Sequence, residues 1–116
     1  MPEPLQIQLD QHTDPPAAVA HLSGDASNAH AEPLRQALTQ LKQDTAPLVI
    51  IDLTQLNFIA SVAIAQLIEL HLDLQQAGRQ LRIAGANRQI TGLFKTTQLV
   101  KVFPLFNNIA DAMPPR

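Results

Sequence analysis

The amino-acid sequence predicts an α/β protein: a mixed sheet of four to five strands with helices packed on it, in one domain spanning residues 1–116. Three observations predict it. Leu48-Val49-Ile50-Ile51-Asp52-Leu53 is an almost unbroken apolar run, the pattern of a central strand flanked on both edges and covered on at least one face. A helical stripe of Ile64, Leu67, Ile68, His71 and Leu74 follows it, and Leu81-Arg82-Ile83-Ala84 then reads as another strand. Strand, helix and strand in that order make a βαβ crossover, right-handed with its two strands parallel. A chain of 116 residues has the length of one ordinary domain.

The remaining elements follow in order. Leu5, Ile7 and Leu9 alternate with Gln6 and Gln8, the period of a half-buried strand, and Asp14-Pro15-Pro16 forces a turn. A second strand over Ala17–Ser23 completes a hairpin. Gly24–Asn28 is rich in turn formers, and beyond it Ala31, Leu34, Leu38 and Leu41 recur at helical spacing. Pro33 is tolerated only in a first turn, so this helix begins near His30, and Pro47 marks its far side. After the central strand a loop is expected through Thr54–Phe58, then a helix over Ser61–Ala77 stopped by Gly78. Asn87 caps a helix holding Ile90, Leu93 and Phe94. Val100, Val102 and Phe103 suggest an edge strand, and Ile109–Met113 a last helical turn.

Composition excludes several functions. The net charge is −2 and the eight Lys and Arg residues are scattered, so nothing draws a phosphate backbone, and no nucleic-acid partner is expected. The four Phe residues are the only aromatics, too few for a base-stacking platform. The absence of cysteine rules out disulfides, thiolate metal sites and thiol nucleophiles, and suits a cytoplasmic protein. The apolar stretch from Ile59 to Leu74 is broken by Gln66, Glu69, His71 and Asp73, and the N-terminus lacks a basic region before an apolar one. Neither membrane insertion nor a signal peptide is expected.

Catalytic machinery is equally sparse. Gly24, Gly78, Gly85 and Gly92 fall in neither phosphate-cradling pattern, so no nucleotide cofactor is expected. His12, His21 and His30 are nine residues apart, on a turn, a strand and a helix start, with no close pair to hold a metal. His71 lies on the helix stripe and reads as a partly buried ring with a hydrogen-bond partner. Ser61 sits in no nucleophile elbow. Its position is what sets it apart: it follows the C-terminal end of the central strand, where open α/β folds place their binding sites. As a good N-cap residue, it is explained equally by capping.

Several segments resemble the sulfate transporter and anti-sigma factor antagonist (STAS) domain, best known from bacterial anti-sigma-factor antagonists. They are Leu22-Ser23-Gly24-Asp25, Val49-Ile50-Ile51-Asp52-Leu53, Leu56-Asn57-Phe58-Ile59 and Ala86-Asn87, followed by Thr97-Gln98-Leu99 and Phe103. The resemblance spans nearly the whole chain. In that family the loop after the central strand reads Phe-Ile-Asp-Ser-[Ser/Thr]-Gly-Leu-Gly, and its first serine, here Ser61, is phosphorylated by a kinase that is also the anti-sigma factor. The chain departs from the pattern at several points. Ala60 stands at the acidic position, Val62 at the second hydroxyl, Ala63 at the glycine, Ser27 at an aspartate after the second strand, and Gln98 at a glycine. Asp52 either substitutes for the missing acid or accepts backbone hydrogen bonds from the loop.

The resemblance implies a non-enzymatic regulator that binds a serine kinase/anti-sigma factor, with Ser61 as phosphorylation switch. The implied contact residues are Ser27, Asn57, Phe58, Ile59, Ala60, Val62, Ala63 and Ile64. The alternative is a constitutive subunit or scaffold of a larger assembly, such as a lipid-transport ATPase complex, with no switch. An exposed hairpin edge leaves both a monomer and a self-paired form open.

Overall fold

The computed structural model describes residues 4–13 and 15–114. β1 (Gln6–Thr13) and β2 (Pro16–Ala26) pair antiparallel, Thr13 opposite Pro16 and Gln6 opposite Ser23. The hairpin is the expected one; Asp14, the first residue of its turn, lies outside the described residues. β2 runs on past the expected end at Ser23, through Gly24 to Ala26. A 3-10 turn at Asn28–His30 leads into α1 (Ala31–Gln43), which carries Pro33 in its first turn and buries Leu34, Ala37, Leu38 and Leu41.

β3 (Leu48–Ile59) lies between β2 and β4 (Gln80–Ala84) and is parallel to both, and α2 (Ser61–Gln76) makes the crossover from β3 to β4. The stop at Gly78 takes the expected form. Its φ is +74°, its amide donates to Gln75 O at 3.1 Å, and the Arg79 amide reaches back to Leu74 O at 2.8 Å. The Arg79 side chain donates to Ala46 O, Lys42 O and Leu41 O, at 2.6, 3.2 and 3.1 Å, closing the far end of α1. α3 (Arg88–Thr96), β5 (Leu105–Phe106) and α4 (Ile109–Ala112) complete the chain, in a sheet ordered β1-β2-β3-β4-β5.

Several expectations are corrected. Thr54–Phe58 is not a loop but the second half of β3, paired to β2 through Ala26 and Ile59. Its pairing contains two irregularities, between His21 and Ser23 and between Gly24 and Asp25, where β3 spends more residues than β2. Such bulges turn side chains to a new face, so Ile51, Leu53, Leu56 and Ile59 all enter one core cluster. The edge strand is Leu105–Phe106, not Val100–Phe103. Leu99–Lys101 is a 3-10 turn, and Phe103 is a core side chain, with its ring centre 6.0 Å from that of Phe94 and 5.7 Å from that of His71. His71 thus meets an aromatic edge rather than the expected polar partner. Gln98 takes a left-handed φ of 63° at the position where the resemblance places glycine.

The two sheet faces are unequally covered. α1, α2 and α3 pack on one, around Leu34, Leu38, Leu67, Leu70, Leu74, Ile90 and Phe94. Each such fully buried side chain contributes about 1.5–3 kcal/mol relative to exposure. The α2 stripe is rotated from the expected one: Ala63, Leu67, Leu70 and Leu74 are buried, while Ile64, Ile68 and His71 are half-buried. On the other face, among the described residues, only α4 covers part of the sheet, Ala112 packing with Ala17, Val19, Leu48, Ile50 and Ala84. Polar side chains hold the rest of that face. The His21 ring on β2 spans the sheet, Nδ1 lying 2.7 Å from Asp52 Oδ2 on β3 and Nε2 3.0 Å from Asp10 Oδ2 on β1. Asp52 also accepts from the Thr54 amide at 3.0 Å and from the Thr54 hydroxyl. Burial pushes its carboxyl up, but the hydrogen bonds from the Thr54 hydroxyl, the His21 ring and the Thr54 amide together hold it below the usual carboxylate value.

Two glycines separate backbone strain from crowding. Gly78 and Gly85 have nearly the same φ, +74° and +76°, but a Cβ at Gly78 meets nothing within 4 Å, whereas one at Gly85 comes 2.2 Å from Thr54 Oγ1 and 3.1 Å from Thr54 Cα. Gly78→Ala is expected to cost the left-handed penalty alone, about 1–2 kcal/mol. Gly85→Ala adds overpacking of about 1–3 kcal/mol, so urea midpoints should rank the two variants, and equal losses would contradict this packing. Acid should also weaken the fold through Asp52. Because its folded-state pKa is lowered, its stabilisation is present above the unfolded value of about 4 and disappears as pH falls through the folded value. The urea midpoint of the wild type should therefore drop below about pH 4, with a smaller drop over the same range in Asp52→Asn; identical acid limbs would assign the sensitivity to other groups.

Candidate partner-binding site at the end of the central strand

The corner after β3 is tight. Ile59 ends the strand, Ala60 is extended at φ −87°, ψ 163°, and α2 begins at Ser61. The Ala60 amide donates to Ala26 O at 2.8 Å, tying the corner to the end of β2, and Ala60 O accepts from Ala63 N and Ile64 N at 3.0 and 3.1 Å. Ala60 is therefore the N-cap of α2, and its side chain supplies no capping bond. Ser61 is the first helical residue, not the cap expected from its sequence position. The amides at the start of an α-helix lack an intrahelical acceptor; here Ala63 and Ile64 bond to Ala60 O, which leaves those of Ser61 and Val62 to form one polar end with the exposed Ser61.

The structure brings most of the expected contact residues to this corner but turns two inward. Asn57, Phe58 and Ser61 are exposed, and Ala60, Val62 and Ile64 half-exposed. Ile59 and Ala63 are 4% and 1% exposed, so they hold the corner from inside and do not present side chains to a partner. Ser27 follows Ala26, which is paired with Ile59, and so lies at the same end of the sheet. Its hydroxyl is 2.9 Å from His30 Nδ1. Gln66 Nε2 donates to Ala31 O at 3.0 Å, fastening α2 to the start of α1 beside Ser27. Asp52 sits seven residues back along β3 from Ile59, roughly 23 Å at the rise of a strand. It binds the Thr54 amide instead of replacing the acid missing beside Ser61.

A second wall of the site comes from α3, which the sequence reading left out. Asn87 does two things there. Its Oδ1 accepts from Ile90 N at 2.8 Å, capping α3, and its Nδ2 donates to Leu56 O at 3.1 Å, tying the helix to β3. A groove of about 410 Å³ results, lined by Asn57, Phe58, Ile59, Gln89, Ile90 and Leu93. Leu93 was expected on the buried stripe with Ile90 and Phe94; only those two are buried, and Leu93 is 37% exposed. The missed signal is angular: Leu93 lies about 60° of helix rotation from Ile90 and about 100° from Phe94, at the rim of the stripe those two define. The site offers apolar side chains, free helix-terminal amides and one exposed hydroxyl. Among the described residues no group of three or more His, Asp or Glu side chains converges on a metal position, and no helix is long and apolar enough to cross a membrane.

Comparison with known proteins agrees with this architecture. A solved anti-sigma factor antagonist from Mycobacterium paratuberculosis superposes with a TM-score of 0.85 at 25% identity, over 94% of this chain and 91% of that one. The Bacillus cell fate determinant SpoIIAA in its phosphorylated form gives 0.67 at 16% identity, over 86% and 90%. A sulfate transporter family protein from Wolinella succinogenes gives 0.71 at 16% identity, over 83% and 80%, and at that identity it and SpoIIAA share the fold. No curated protein matches the sequence significantly. The family model of the STAS domain, however, matches residues 6–112, and the chain belongs to the STAS domain family.

Proposed function

We propose that this protein is a non-enzymatic, cytoplasmic regulator of the anti-sigma-factor-antagonist type, acting as one domain that docks a serine kinase/anti-sigma factor through the β3–α2 corner. The observation that carries this reading is the placement of Ser61. Its hydroxyl is exposed at the first position of α2, where the parallel strands end, with exposed Phe58 and half-exposed Val62 and Ile64 around it. Ser61 is the proposed phosphoacceptor, and Ser27 and Asn57 belong to the contact surface. A phosphate adds about −1.5 to −2 charges. The helix terminus tolerates that charge, so the fold survives, while an apolar interface formed over Phe58, Val62 and Ile64 does not.

A second reading, a constitutive subunit of a larger assembly, is favoured by the composition of the corner. With Ala60 at the N-cap the helix lacks a side-chain acceptor, and Val62 and Ala63 make the corner more apolar than the family pattern. The solved Wolinella protein of this fold belongs to a sulfate transporter family. The two readings differ in whether the contact is regulated.

Ser61→Glu is the test of the switch. The variant should keep the wild-type urea midpoint and lose at least about tenfold in affinity for the protein that co-purifies with the wild type from its source cells. Full affinity in Ser61→Glu, with an unmodified Ser61 peptide by mass spectrometry, would remove the switch and leave the constitutive reading. The missing cap is testable separately: Ala60→Asp should raise stability by about 1 kcal/mol, seen as a higher urea midpoint, and no gain would mean that the first turn is satisfied otherwise.

A further inference from the structure

The two edges of the sheet are built differently. β5 closes one edge with only two residues, Leu105–Phe106, and α4 packs beside it. β1 closes the other with eight, Gln6–Thr13, and is the last strand on that side among the described residues. An edge strand carries a row of amides and carbonyls with no strand to pair with, and proteins ordinarily blunt it with lysine, proline, a bulge or extreme shortness. β1 has none of these. Gln6–Thr13 contains no Lys, Arg or Pro, and its register against β2 runs without a shift. Its one carboxylate, Asp10, lies 3.0 Å from the His21 ring.

Both faces of this edge suit a further strand. Leu5, Ile7 and Leu9 pack against the main core on the α1 side but are only half-buried, and an open groove of about 490 Å³ runs between them and Pro33, Ala37 and Gln40 of α1. On the other face Gln6 and Gln8 are exposed, and the Asp10 side chain is 44% exposed. In an antiparallel pair, residues that point their N–H and C=O at the neighbour meet residues that do the same, and opposed side chains stand on one face. Two copies of one strand therefore pair only in registers that join odd residues with odd and even with even. A register centred on Asp10 opposes two carboxylates. The one centred on Gln8 instead sets Gln6 opposite Asp10 and Ile7 opposite Leu9, each twice. β1 is thus complementary to itself, apolar against apolar on the α1 side and amide against carboxylate on the other.

We propose that β1 is a self-association edge, where a second copy of this chain adds its own β1 antiparallel about a twofold axis through Gln8 and joins two five-stranded sheets into one. Main-chain hydrogen bonds give affinity in such strand addition, and the side-chain register gives specificity. The occupant is a second copy because the match is reciprocal: a carboxylate accepts at both oxygens, so Asp10 takes the Gln6 amide of the other copy while it keeps His21. Ile7 and Leu9 of the two copies make the two grooves beside α1 one continuous apolar strip. The axis stands perpendicular to the sheet, which leaves both α1 helices on one face. It also sends the two β3–α2 corners to opposite ends, since β3 runs parallel to β2 and both run antiparallel to β1. Dimerisation therefore leaves Ser61 accessible and doubles the docking corner, and it is independent of what docks there.

Sedimentation velocity of the full chain over a concentration series tests this, on the wild type, Gln8→Lys, Gln8→Glu and an equimolar mixture of the two variants. The wild type should sediment as a concentration-dependent dimer. Each variant alone sets like charges opposite one another on the axis and should raise the dissociation constant about fivefold or more, with the urea midpoint kept because Gln8 is exposed. The mixture opposes Lys to Glu and should recover the dimer. Because the chain has no cysteine, Gln8→Cys gives an independent reading: mild oxidation should link two copies through position 8, where opposed Cβ atoms come within disulfide reach, whereas His12→Cys, set opposite residue 4 in this register, should stay unlinked. A monomer at every concentration, equal association of wild type and both variants, a mixture no more dimeric than either variant, or linkage at position 12 as ready as at position 8 would each overturn the proposal. So would a β1 edge that exchanges freely in the isolated protein and gains protection only with a foreign partner.

Discussion

The structure depends on the pairing of β3, which has a neighbouring strand along one edge to its end at Ile59 and along the other for less than half of its length. On one side β2 accompanies it from Ala18 opposite Val49 to Ala26 opposite Ile59. On the other, β4 pairs only from Leu48 to Asp52 and then leaves. Beyond that point one edge of β3 lacks a neighbouring strand, although Leu56 and Ile59 are buried there, and each buried backbone group left unpaired costs about 1–3 kcal/mol. Asn87 answers it with a side chain, its Nδ2 donating to Leu56 O as a strand amide would. The same amide group caps α3 through its oxygen. Gly85, whose missing Cβ lets the chain pass against Thr54, brings Asn87 to that place. One side chain thus completes the sheet, starts a helix and sets one wall of the groove.

This constraint also explains what was legible in the sequence. Leu48–Leu53 is visible because a strand buried on both faces is apolar at nearly every position, here at all but Asp52. Leu53–Ile59 is not, because two bulges change its burial period from two to three: Leu53, Leu56 and Ile59 are buried, with exposed pairs between them. Polar residues at Thr54, Gln55 and Asn57 then resemble a loop. The helices and the hairpin follow from ordinary periodicity, Pro33 and Gly78 included. The short edge strand escaped because pairing over Leu105–Phe106 is two residues long, while Val100 and Val102 owe their exposure to a turn that local composition does not announce. At the site, Ser61 is legible by position, but its rank in the helix is not. A single residue separates strand from helix, and the cap falls on Ala60.

The corner and the groove work as one surface with two characters. At Ser61 it is a helix end with an exposed hydroxyl, hospitable to an anion in isolation. Across Phe58 and Leu93 it is apolar. On the proposed reading, a phosphate on Ser61 would change the first character and thereby spoil the second, while Ile59 and Ala63, buried beneath, hold the corner from within. Where a fold offers rigid backbone beneath and adjustable charge above, affinity changes without refolding. The His21 bridge between Asp10 and Asp52 lies on the opposite sheet face, so the acid-sensitive part of the molecule is separate from the proposed docking surface.

The central claim is that the functional surface is the end of β3 together with α3. Amide hydrogen exchange of the protein alone and in complex with its co-purified partner tests it most directly, because protection is read residue by residue in the intact chain. The account predicts new protection over residues 57–64 and 88–95, with β1 and α1 exchanging as they do in the free protein. Protection along the outer edge of β1, or over the exposed face of α1, with no change at Phe58, Ser61 and Leu93, would contradict it.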